Sequence, residues 1–135
     1  MNYGSTVLFV KDVSKVLTFY ERAFGFELKF YDKDFDFGML DAGGVELGIA
    51  SDKAGERMMP GGYQASKSGH PEGVEIAFYT EEVSAAYQRA VDAGAASLAA
   101  PKKMEWGQAV AYVRSIEGTI IGFCTPVMKE DAAGD

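Results

Sequence analysis

Asp12-Val13-Ser14 returns as Glu82-Val83-Ser84, seventy residues further along the chain, and the sequence around the two tripeptides agrees as well. A repeat of this kind limits the fold more than any single motif. Each copy has to be a supersecondary unit that can sit beside its twin. In TVLFVKDVSKVLTFYERAFGF, residues 6–26, an apolar run ends at Lys11 and Asp12. Val13, Val16, Leu17, Tyr20 and Phe24 then fall at helical spacing, with Asp12 placed as N-cap and Gly25 as the stop. In VEIAFYTEEVSAAYQRAVDAGA, residues 74–95, a strand-like run ends at Thr80. Val83, Ala86, Tyr87, Ala90 and Val91 keep the helical spacing until Gly94.

Three short strand-like runs follow each helix. They are ELKFYD, FDFGMLDA and VELGIAS in the first half, and ASLAAP, QAVAYVRS and TIIGFCTP in the second, with Glu117-Gly118 as the last turn. Each half therefore reads β-α-β-β-β. The expected fold is α+β: two βαβββ modules, each a curved mixed sheet with its helix on one face, the other faces forming a cup. Module one spans about 4–51 and module two about 73–127, with a linker or flap at 52–72 and a short tail at 128–135. Clefts between modules are favoured ligand sites.

At 135 residues the chain suits one domain with a real core. No apolar run reaches the roughly 18 residues of a membrane span, so no membrane partner is expected. The N-terminus lacks the layout of a signal peptide, and a lone Cys124 excludes an internal disulfide; both suit a reducing cytoplasm. A net charge of −7 argues against nucleic acid and would favour cations, including cationic small molecules.

With this organisation, VLFVKDVSKVLTFYERAFGFEL and PKKMEWGQAVAYVRSIEGTIIGFCTP resemble the vicinal oxygen chelate superfamily. That group includes glyoxalases, extradiol dioxygenases, and fosfomycin- and bleomycin-resistance proteins. The resemblance covers roughly residues 5–127 and speaks for the fold more than for any one chemistry. The family's Asp-Pro-Asp/Glu-Gly before the last strand is replaced by Ser115-Ile116-Glu117-Gly118. The resemblance also implies a homodimer, and a divalent metal in the catalytic members.

By the same resemblance the metal positions are Ser5 and Glu75 on the first strands and Glu46 and Gly122 on the last. Zinc, nickel or iron would want imidazole with carboxylate. Two carboxylates suit at best weakly held magnesium or manganese, so no cofactor is expected. Glu46 and Glu75 are open to three readings: metal ligands, polar contacts for an organic ligand, or strand residues reaching solvent. His70, the only histidine, lies in SGHPEG, where a solvated loop suits it better than a place over the cup. Cys124, in an apolar strand, reads as a small buried thiol.

Aromatic residues carry the remaining signal. Phe9, Phe35, Phe37, Tyr63, Trp106 and Tyr112 fall on strands or mouth loops, whereas Phe19, Tyr20, Phe24 and Tyr87 belong to helices and the core, as does most of Phe9. Flat rings can sandwich planar ligands and attract cations. Trp106 beside Gly107 is equally suited to a stacking plate or a dimer contact. Met58 and Met59 suit a flap or a subunit contact. The leading expectation is a protein that sequesters a small organic ligand, cationic or aromatic, through Glu46, Glu75, Trp106, Tyr112, Phe37 and Phe9. The alternatives are a metal-dependent glyoxalase-type lyase or dioxygenase, and a dimeric interaction module without a ligand.

Overall fold

Asp12 fulfils the role its position suggests: its Oδ1 accepts the backbone N–H of Lys15 at 3.1 Å, and a helix, α1 (Val13–Phe24), follows. Gly25, in the left-handed region at φ 72°, ends it by donating to the Glu21 carbonyl at 2.9 Å. Val13, Val16, Leu17 and Tyr20 are buried, as the spacing predicts. In the computed structural model that shows this, residues 1–63 and 69–126 are described. The tail at 128–135 and residues 64–68 of the connecting segment lie outside them.

The chain divides into two compact units, Met1–Lys67 and Ser68–Asp135. In the first, β1 (Ser5–Val10), β2 (Glu27–Asp32), β3 (Phe37–Asp41) and β4 (Glu46–Ser51) form one sheet in the order β1-β4-β3-β2. β1 pairs parallel with β4 and the other neighbours are antiparallel. Leu40, Leu47 and Ile49 face α1 and are almost fully buried. Gly38 gives α1 its close approach, because a Cβ there would lie 2.5 Å from Leu17 Cδ1.

The second unit repeats the plan with β5 (Glu75–Tyr79), α3 (Val83–Asp92), β6 (Ala96–Lys103), β7 (Ala109–Arg114) and β8 (Ile120–Cys124), in the order β5-β8-β7-β6. Tyr87 on α3 donates to Ser97 Oγ at 2.6 Å, which ties the helix to β6. Ala111, Val113, Ile121 and Phe123 form the buried side of this sheet.

One element went unnamed in the sequence reading. The first residues of the connecting segment form a short helix, α2 (Asp52–Met58). Ser51 Oγ caps it by accepting from Ala54 N–H at 3.0 Å. Asp52 in its first turn and Arg57 in its last both suit the helix dipole. Among the described residues no helix is long and apolar enough to cross a membrane.

Candidate functional site

The side of each sheet turned away from its long helix, called here the far face, is where side chains remain for function. In the first unit the register places Phe9, Ala50 and Phe37 on one rung of this face: Phe9 pairs with Ala50, and Ala50 with Phe37. A small residue between two rings leaves a slot. Val7, Gly48 and Met39 occupy a neighbouring rung of the same face. A Cβ on Gly48 would meet Val7 and Phe37 at 3.1 Å, so the glycine lets both side chains close over the sheet.

α2 lies against this face and builds a wall. Its buried Gly55 packs where a Cβ would be 2.9 Å from Phe9 and 2.6 Å from Tyr63. The Phe9 and Tyr63 rings lie with centroids 5.1 Å apart, and Tyr63 donates to Asp52 Oδ1 at 2.7 Å. Loss of water around the phenol, and then that hydrogen bond, push Tyr63 up to about 12. A phenol that holds its proton more tightly when folded stabilises the native state below the ordinary tyrosine range, near pH 10. That contribution is lost as pH rises through about 12. In an ultraviolet phenolate titration Tyr63 is expected among the last tyrosines to ionise, and Tyr63→Phe should remove amplitude from the high-pH end. Removal of amplitude near pH 10 would contradict this.

The space between α2 and the far face is a cavity of about 470 Å³, open on one side and lined by Val7, Phe9, Phe30, Phe35, Phe37, Ala50, Ala54 and Met58, with Asp32 and Arg57 as its charged members. This is the size of a small-molecule site. Asp32 is tied into its own turn, where Oδ1 accepts the N–H groups of Asp34 at 3.0 Å and Phe35 at 3.2 Å. Phe30 reaches the cavity because of a bulge. The register shifts between Leu28 and Phe30, so Leu28 pairs with Leu40 on the helix side while Phe30 pairs with Met39 on the far face.

The residues singled out by sequence are divided between different places. Phe9 and Phe37 line the cavity, with Phe35 and Met58. Glu46 does not: Lys29 Nζ sits 3.3 Å from its Oε2, and both side chains are about half exposed. Glu75 and Tyr112 meet on the far face of the second unit. A Cβ on Gly122 would strike Glu75 Oε2 and lie 3.1 Å from the Tyr112 ring, so this glycine makes the room in which both lie. Burial first, and the Glu75 charge second, raise both the Tyr112 phenol and the Cys124 thiol, which keeps Cys124 a weak nucleophile. Trp106 stands half exposed at the β6–β7 turn, its Nε1 donating to Gln108 Oε1 at 2.9 Å. Gly107 makes that turn at φ 95°. The His70 carbonyl accepts from Arg114 Nη2 at 3.4 Å, and that of Gly69 from Nη1 at 3.1 Å.

The strand register corrects one correspondence. Sequence reading set Glu46 and Gly122 at equal places in the two modules. Ser5 pairs with Glu46 and Glu75 with Ile120, so the counterpart of Glu46 is Ile120. Val7 pairs with Gly48 and Ala77 with Gly122, so the counterpart of Gly122 is Gly48. The four positions equivalent across the repeat are then Ser5, Gly48, Glu75 and Gly122, which offer a single carboxylate and no imidazole. Among the described residues no group of three His, Cys, Asp or Glu side chains is placed to hold a metal. This donor set does not fit a resident transition metal.

Sequence reasoning missed Phe30, Asp32 and Arg57. Ser51-Asp52, a capping residue before a first-turn acid, was the available signal for α2 and hence for Arg57; the glycine at position 55 masked it.

The profile of the Glyoxalase/Bleomycin resistance protein/Dioxygenase superfamily matches residues 2–123. No curated protein matches the chain. Among solved structures it is similar to a glyoxalase-related enzyme from Fulvimarina pelagi, at 18% identity and TM-score 0.78, over 96% of this chain and 94% of that one. It is also similar to a glyoxalase/bleomycin resistance protein/dioxygenase family enzyme from Burkholderia phytofirmans PsJN, at 22% identity and TM-score 0.72, over 92% and 98% of the two chains. A third is the fosfomycin resistance protein FosX from Mesorhizobium loti, at 12% identity and TM-score 0.71, over 97% of both. At these identities the likeness speaks for the fold.

Proposed function

From the premise that this chain belongs to the Glyoxalase/Bleomycin resistance protein/Dioxygenase superfamily, we propose that it binds and sequesters a small, flat, largely apolar organic molecule without a metal. The observation that carries this reading is the slot over Ala50 between Phe9 and Phe37, opening into a cavity of about 470 Å³. Rings flanking a slot favour planar guests by stacking, beyond the area they bury. The donor set at the repeat-equivalent positions supports a metal-free mode. The resemblance includes drug-binding resistance proteins, and one structure of similar fold, FosX, is named as a fosfomycin resistance protein.

In mechanism, the site's work is binding. Phe9, Phe30 and Phe37 remove the guest's faces from water, and Ala50 leaves the depth for its edge. α2 closes one side through Ala54 and Met58. Affinity then follows from buried apolar area less the cost of ordering an exposed Met58 and Phe35. The test is calorimetric titration with 2-naphthylmethanol, a neutral planar probe. One equivalent is expected to bind per chain in the micromolar range, and the probe should be recovered unchanged with or without added magnesium or manganese. No heat and no retention on dialysis would remove the reading; metal-dependent conversion of the probe would replace it with a catalytic one.

A further inference from the structure

Resting on that reading of the same cavity, we propose that its guest carries an anionic group, a carboxylate or its like, which the Arg57 guanidinium receives. Arg57 sits in the last turn of α2 and lines the cavity beside Met58. Among the described residues its side chain makes no hydrogen bond or ion pair, unlike Lys29, which pairs with Glu46. The other charged wall residue is already engaged, since Asp32 Oδ1 accepts two backbone N–H groups in its turn. The polar equipment of an otherwise apolar wall is thus one engaged acid and one guanidinium whose donors meet no partner among the described residues. A planar fork of N–H donors beside apolar walls matches a carboxylate, with two parallel charge-assisted bonds. An amine would have only Asp32, whose Oδ1 already accepts two backbone N–H groups.

This reverses the expectation drawn from net charge. The −7 of the whole chain describes its surface, and the cation-seeking pair Glu46 and Glu75 does not line this cavity. Local geometry decides over net charge because the surface charges are screened within about 10 Å at ordinary salt. A guanidinium against a ring-bearing guest is not.

The experiment compares three probes of one shape: 2-naphthoate, 2-naphthylmethanol and 2-naphthylmethylammonium, titrated at neutral pH and about 0.1 M salt, where the surface charges are screened. The expected order is naphthoate tightest, by roughly five- to tenfold over the alcohol, in line with a charge-assisted pair. Arg57→Gln should abolish that preference, so that naphthoate binds no tighter than the alcohol to the same variant; Arg57→Lys should restore part of it. Lys53→Gln removes the same charge from the same helix at a residue that does not line the cavity, and should leave the preference intact. If the alcohol binds but naphthoate gains nothing, or the ammonium probe binds best, the anionic assignment is overturned while the cavity reading stands. If none of the three binds, both fall. Equal loss of preference in Lys53→Gln would also overturn it, by making the effect one of general charge.

Discussion

Ala50→Phe is expected to abolish binding of 2-naphthylmethanol, a loss of at least about a hundredfold, or ~2.8 kcal/mol. Ala50 lies on the rung between Phe9 and Phe37 and is 3% exposed, with its side chain at the base of the cavity. A benzyl group there occupies the slot that the guest's ring would enter. Neighbouring side chains can yield on the solvent side, where Phe35 and Met58 are exposed, so overpacking should cost no more than about 1–3 kcal/mol of stability. Ala50→Leu gives a milder second test, with partial loss of affinity expected. Thermal unfolding and far-ultraviolet circular dichroism separate a blocked cavity from an unfolded chain. A folded Ala50→Phe protein that still binds the probe with its original affinity would place the guest elsewhere.

The second large effect is on stability. Tyr20→Ala should lower the free energy of unfolding by about 3–5 kcal/mol, a large share of what a domain of this size has. Tyr20 is fully buried on α1 and packs edge-on to Phe19, at a centroid distance of 5.4 Å, and tilted against Phe24 at 5.1 Å. The repeat supplies an internal contrast. Seventy residues on, the matching position is Ala90, also fully buried, so α3 approaches its sheet with a methyl where α1 uses a ring. The aromatic of α3 is Tyr87, half-buried and attached to Ser97 through its hydroxyl. Tyr87→Phe should therefore cost only about 1 kcal/mol. Urea midpoints at unchanged slope would read both values. Similar losses for the two variants would mean that the packing of the helices is not what separates them.

The two substitutions also mark how far the linear sequence reaches. Tyr20 was assigned to the core from spacing alone, because helical periodicity is local: Val13, Val16, Leu17 and Tyr20 must share a face once the segment is helical. Asp12 and Gly25 were legible for the same reason, as were the six runs that became β2, β3, β4, β6, β7 and β8. Phe9 and Phe37 stood among the candidates because strand alternation must turn some of the strand aromatics away from the helix, but which ones only the register decided.

Phe30 was not among them, because alternation counts from an unbroken strand, and the register shift after Leu28 turns the next residues over. The role of Glu46 was not legible either. A carboxylate on a strand reads the same whether or not a lysine seventeen residues earlier lies 3.3 Å from it. Nor could spacing decide that Gly48, rather than Glu46, is the twin of Gly122, since that depends on which residues face each other across β1–β4 and β5–β8.

Sequence alone, then, determined the doubled β-α-β-β-β order, the helix ends and the helical core positions. All of these rest on interactions within a few residues of each other. Tertiary structure alone decided which face each residue of β2 presents, which acid is already neutralised, and that α2 folds onto Phe9 to wall a cavity with Arg57 on its edge. Those outcomes depend on pairing between strands and helices far apart in the chain, and local pattern carries no record of such pairing.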